Sequence, residues 1–64
     1  MKNRVQEIRW HKNLTLKQLS QLSGVSISEI SKIENNELRN VTLLTAYRLS
    51  KALKVDILEL FIME

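Results

Sequence analysis

The chain reads as an all-α domain of five helices, and three observations predict this. Proline is absent and glycine occurs once, at Gly24, among 64 residues, so little interrupts the stretches of good helix formers. Apolar residues recur at three- and four-residue spacing, the period of a helix face. A hydroxyl or carboxyl residue is followed three positions on by Gln or Glu at Thr15/Gln18, Ser26/Glu29 and Asp56/Glu59. Each pair has the spacing of a capping box, in which two side chains satisfy the free amides that begin a helix.

The first helix is expected from about Lys2 to Lys12, with Val5 and Ile8 inward and Asn13 as a left-handed stop. The second is expected from Leu16 to about Ser23, burying Leu19 and Leu22, with Gly24 ending it in the left-handed conformation that glycine adopts freely. The third runs from Ile27 to about Asn35 on Ile30 and Ile33. A turn-rich loop, Asn35 to Asn40, follows. Thr42 should cap a fourth helix over Leu43–Leu53 with Leu43, Ala46, Leu49 and Leu53 as its stripe. The pair Asp56/Glu59 should open a short fifth helix whose Ile57, Leu60 and Phe61 close the core.

Composition narrows the chemistry. With no cysteine there is neither a disulfide nor a thiolate metal site, which fits a reducing cytoplasm. A single histidine, His11, argues against structural zinc. No apolar run reaches membrane-spanning length and no signal-peptide core is visible, so a cytoplasmic protein without a membrane role is expected. No nucleophile–base pair, metal cluster or phosphate loop is present, which argues against an enzyme and against any cofactor or small-molecule ligand. Ten basic residues face seven acidic ones, a net charge of +3. The bases gather near the start, at Lys2, Arg4, Arg9, Lys12 and Lys17, and again at Arg48, Lys51 and Lys54. Such a balance suits a polyanionic partner without demanding one.

The second and third helices, joined through Gly24, have the spacing of a helix-turn-helix over residues 16–35. With Ile30 and Ile33 facing the core, Ile27, Ser28, Ser31 and Lys32 fall on or beside the opposite flank. Serine hydroxyls accept from or donate to base edges, a lysine reaches guanine or a phosphate, and Ile27 offers an apolar face to a thymine methyl. The helix starts at Ser26, Thr15–Leu16 and Thr42–Leu43 present free amides suited to phosphate oxygens.

From Arg9 to Phe61 the chain resembles the helix-turn-helix domain of lambda-repressor and Cro-type (XRE-like) transcriptional regulators. The resemblance rests on Leu14-Thr15, Gln18-Leu19-Ser20, Gly24-Val25-Ser26, Ile30-x-x-Ile33-Glu34-Asn35, Ala52-Leu53-x-Val55 and Leu60-Phe61. It implies a compact five-helix domain whose third helix reads double-stranded DNA in the major groove. Ile27, Ser28 and Lys32, with Ser31 beside them, match its base-reading positions. Thr15, Leu16, Ser26 and Asn35 match its phosphate-holding positions, and the loop at Arg39 and Asn40 does likewise. The resemblance also implies a structural ion pair between Arg9 and Glu34. Asn13, Ser20, Asn36, Val41 and Lys54 depart from residues frequent in the family; Lys54 at a left-handed stop would be strained by roughly 1–2 kcal/mol, unless the helix ends differently there.

The apolar tail gives a further expectation. Leu58 and Ile62 form an i, i+4 pair outside the core stripe, and we expect a homodimer through it. Two reading helices would then stand about 34–36 Å apart, one turn of DNA. Trp10 is expected against the same tail. The alternative function is a protein-interaction module on the same fold, such as an antitoxin-like partner or an antagonist of a regulator. Glu29, Glu34 and Glu37 near the proposed DNA side favour that alternative.

Overall fold

The structure, a computed structural model, describes residues 2–38 and 40–61. Five helices follow one another: α1 (Val5–His11), α2 (Leu16–Ser23), α3 (Ile27–Glu34), α4 (Leu43–Leu53) and α5 (Ile57–Leu60). Val5, Leu19, Ile30, Leu49, Leu53 and Leu60 are wholly buried at the centre, and Val25, in the turn between α2 and α3, plugs the same core. In this arrangement α2 packs on α3 and α4, and α1 also packs on α3 and α4.

The helix ends explain how so short a chain turns so often. After α1, α3 and α4 the residues Asn13, Asn36 and Lys54 take positive φ, at 57°, 58° and 59°. Each closes the same pair of bonds, illustrated by Glu37 N–H to the Lys32 carbonyl (2.9 Å) and Asn36 N–H to the Ile33 carbonyl (3.1 Å). This is the Schellman arrangement, which satisfies the last carbonyls of a helix and reverses the chain. Gly24 ends α2 at φ 77°. There the amide of Val25 donates instead to the Ser23 hydroxyl, at 3.1 Å.

That bond explains a correction to the inner face of α2. Leu22, expected in the core, is 61% exposed, whereas Ser23 is buried. The inward stripe is Leu16, Leu19, Ser20 and Ser23, and Leu22 lies off it. Leu43 is likewise 76% exposed, because the first turn of α4 stands clear of the core together with Thr42 and Leu44. Trp10 is 61% exposed on α1, and the end of the tail expected against it lies outside the described residues. The first helix begins at Val5, later than expected, because residues 3 and 4 pair with the C-terminal segment: Arg4 N–H donates to the Leu60 carbonyl (2.8 Å) and Asn3 bridges to Phe61.

A glycine at position 24 spares backbone strain, not space. A Cβ built there meets nothing within 4 Å, so the positive φ alone favours glycine. A side chain at φ 77° costs roughly 1–2 kcal/mol. Gly24→Ala is therefore expected to lower the melting temperature by about 4–16 °C, and Lys54→Gly to raise it by a similar amount, since each kcal/mol moves a domain of this size by about 4–8 °C. Paired thermal melts read both signs, and equal melting of Lys54→Gly and the parent would contradict the strain at Lys54.

Candidate nucleic-acid interface

Helix α3 is held from beneath by Ile30 and Ile33 and open along another flank. Ile30 and Ile33 are buried, while Ile27, Ser28, Lys32 and Asn35 are exposed and Ser31 is half-buried. These five positions run i, i+1, i+4, i+5 and i+8 along one flank, so the candidate reading residues share a single face of the rod. Ile27 is 45% exposed, an apolar side chain held outward.

The C-terminal end of α3 is fixed by three sets of bonds. Arg9 Nε donates to Glu34 Oε2 at 2.7 Å and Arg9 Nη2 to Glu34 Oε1 at 3.0 Å, a fork-on-fork pair, while Arg9 Nη1 reaches the Leu14 carbonyl at 2.8 Å. Donating to the Glu34 carboxylate pushes the Arg9 pKa up, overcoming burial, which pushes it down. Asn3 Nδ2 donates to the Ile33 carbonyl (2.8 Å) and to Asn36 Oδ1 (3.2 Å), and the Schellman turn completes the set. Asn3 Oδ1 also accepts from the Val5 amide at 3.0 Å, but its two partners at the end of α3 lie thirty and more residues away, and sequence reasoning missed them.

The three helix starts expected to hold phosphates differ in detail. At α2 the capping box forms in full: Gln18 N–H donates to Thr15 Oγ1 (3.0 Å) and Thr15 N–H to Gln18 Oε1 (2.8 Å). The Thr15 amide is thus taken, and half-buried Leu16 offers its amide instead. At α3 only half the box forms. Glu29 N–H donates to Ser26 Oγ (3.1 Å), but the Glu29 carboxylate turns away and accepts from Thr45 Oγ1 (3.1 Å) on α4. At α4, Thr45 N–H donates to exposed Thr42 Oγ1 at 3.2 Å. The starts of α3 and α4 are therefore joined side by side. The third expected box fails: Asp56 makes no side-chain cap bond at α5.

Two of the three carboxylates counted against a polyanion partner are thereby engaged within the protein. Glu34 is paired to Arg9 with its side chain only 3% exposed, and half-buried Glu29 is bonded to Thr45. Glu37 alone of the three stands exposed. Asn40 is exposed in the loop, whereas Arg39 lies outside the described residues. Leu58 is 77% exposed beside a groove between α4 and α5 lined by Tyr47, Lys51 and Lys54. Its expected partner Ile62 lies outside the described residues.

Among the described residues no three His, Asp or Glu side chains come together as a metal site, and no helix is long and apolar enough to cross a membrane. A family profile described as helix-turn-helix matches residues 5–60. A search of the curated proteins finds no match.

Proposed function

Because the chain belongs to the helix-turn-helix family of Cro and lambda-repressor type (XRE-like) and is a DNA-binding domain of that family, we propose that it is a sequence-specific transcriptional regulator. In this reading α3 enters the major groove of double-stranded DNA. Ile27, Ser28, Ser31 and Lys32 meet base edges there. Thr15, Leu16, Ser26, Asn35, Asn40 and Thr42, together with Arg39, hold phosphates through amides and short polar side chains. With DNA as the target, we infer a cytoplasmic protein.

The observation that carries this reading is the flank of α3, exposed and polar apart from Ile27, on a helix whose opposite side is locked into the core. A surface built only for packing would not leave Ser28 and Lys32 outward beside an exposed isoleucine. Selection of bound fragments from random duplexes tests it, with Lys32→Ala as the reporter. Loss of Lys32 is expected either to flatten the salt slope by about 0.9, if it holds a phosphate, or to cost roughly 1–3 kcal/mol at one base pair, if it reads one. Unchanged affinity across all selected sites would remove Lys32 from the interface. Salt-insensitive capture of a protein with no duplex selected would favour the interaction-module alternative instead.

We also infer a homodimer through Leu58 and Ile62. Leu58, 77% exposed on a small domain, supports it. Inverted-repeat operators would follow from the two-fold axis. At tens of micromolar the sedimentation mass is expected to be about twice the 7.5 kDa of one chain, and Leu58→Glu is expected to return it to one chain. A single-chain mass for the parent protein would rule the dimer out.

A further inference from the structure

The diverted carboxylate of Glu29 has a consequence for how α3 is presented. Among the described residues, the bond from Thr45 Oγ1 to Glu29 Oε2 is the one hydrogen bond that joins α3 to α4. It sits in a chain of four residues, the last link being a backbone amide. Thr42 Oγ1 donates to Thr45 Oγ1 (3.1 Å), Thr45 donates to Glu29 (3.1 Å), and the Glu29 amide donates to Ser26 Oγ (3.1 Å). The two cap residues, Ser26 and Thr42, are thus linked through Glu29 and Thr45. Neither of the linking side chains is needed for the core, which α3 meets through Ile30 and Ile33.

The same diversion leaves an amide open. At α2 the Thr15 N–H is occupied by Gln18 Oε1. At α3 the matching N–H of exposed Ser26 donates to nothing among the described residues, because the carboxylate that would take it is held by Thr45. Were Glu29 released, a complete capping box would close over that amide and bring a full negative charge back to the start of the reading helix.

We propose that Glu29 is a positioning residue for DNA binding, acting through Thr45. It ties the start of α3 to the start of α4 and keeps its own carboxylate off the Ser26 amide. The inference rests on the reading of α3 and its cap as the DNA-facing element. It runs against simple electrostatics. An acidic residue near a phosphate backbone ordinarily weakens binding, so its removal should tighten it. Here removal should do the opposite, because the hydrogen bond matters more than the charge.

The test compares Glu29→Ala, Glu29→Gln and Thr45→Val on a duplex selected by the parent protein, with far-UV melts of all four proteins. Glu29→Gln keeps an acceptor for the Thr45 hydroxyl and is expected to bind at least as tightly as the parent. Glu29→Ala is expected to bind about three- to tenfold more weakly, the fold-change of one lost hydrogen bond. Thr45→Val, which leaves the charge in place, should fall as far. In that variant the Ser26 amide should also become protected from hydrogen exchange as the capping box closes, a change that a merely structural role of Thr45 would not produce. Tighter binding by Glu29→Ala, equal losses in Glu29→Ala and Glu29→Gln, or an unprotected Ser26 amide in Thr45→Val would each overturn the proposal. If the parent selects no duplex, the underlying reading of α3 fails instead, and the exchange measurement still decides whether Thr45 holds Glu29 away from its cap.

Discussion

Replacing Glu34 by alanine is expected to unfold the domain or nearly so. The Arg9–Glu34 pair is buried on both sides, with side chains 8% and 3% exposed. Such a pair contributes little over well-packed apolar residues, but losing one partner strands the other charge and costs about 3–5 kcal/mol. At about 0.05–0.15 kcal/mol per residue, a domain of this size has roughly 3–10 kcal/mol in total. The loss is therefore a large part of its stability, and the melting temperature should drop by more than about 12 °C. The Leu14 carbonyl adds a constraint, because Arg9 Nη1 donates to it and pins the chain between α1 and α2. Glu34→Gln, which keeps an acceptor but not the charge, should fall between parent and alanine. The double change Arg9→Met, Glu34→Leu should melt above Glu34→Ala, since no charge is then left unpaired. Glu34→Ala melting with the parent would mean that the buried pair holds nothing.

That pair also shows which features of the fold were legible and why. Its partners are 25 positions apart, and no local pattern joins them. Only the resemblance to a known family suggested the contact. Helix starts were legible from neighbouring residues, because a cap is a local device: Thr15, Ser26 and Thr42 all accept the expected amide. The returning side chain was less legible. Gln18 returns to its own cap, whereas Glu29 is drawn to Thr45 and the fifth helix begins without a side-chain cap bond. Direct contacts from other helices, such as Thr45 on Glu29, decide that competition, and the sequence does not display them.

The same division holds for burial. The stripe of α3 followed its periodicity, because Ile30 and Ile33 leave one choice of inward face. The stripe of α2 did not, because two leucines and two serines near its end permit two phases. The choice fell to Ser23, whose hydroxyl satisfies a turn amide that would otherwise be buried without a partner. Leu43 lies in phase with the α4 stripe but one turn beyond the edge of the core, so its period was right and its depth was wrong. Phase is written in spacing, whereas depth depends on where neighbouring helices end. The groups proposed to meet DNA, the exposed flank of α3 and the helix starts, fall mostly in the legible class.

Replacing Ser28 by aspartate is expected to separate binding from folding. Ser28 is exposed at the second helical position of α3, after the cap Ser26. A carboxylate in the first turn interacts favourably with the helix field and adds about 0.3–1 kcal/mol to stability. Melting should therefore stay level or rise slightly. The same carboxylate would face phosphates and base acceptors if α3 lies in the groove. Like charges brought together at an interface cost several kcal/mol, at least about a hundredfold in affinity. The deficit should shrink as salt is raised, because part of it is screened repulsion. Ser28→Ala supplies the contrast, removing a hydroxyl without adding charge, and should lose much less. Opposite signs for stability and affinity are what a DNA-facing position requires. A position buried against another part of the protein would lose both together, and one facing open solvent away from DNA would lose neither. Parent-level binding by Ser28→Asp would therefore turn α3 away from the duplex, whatever the rest of the fold resembles.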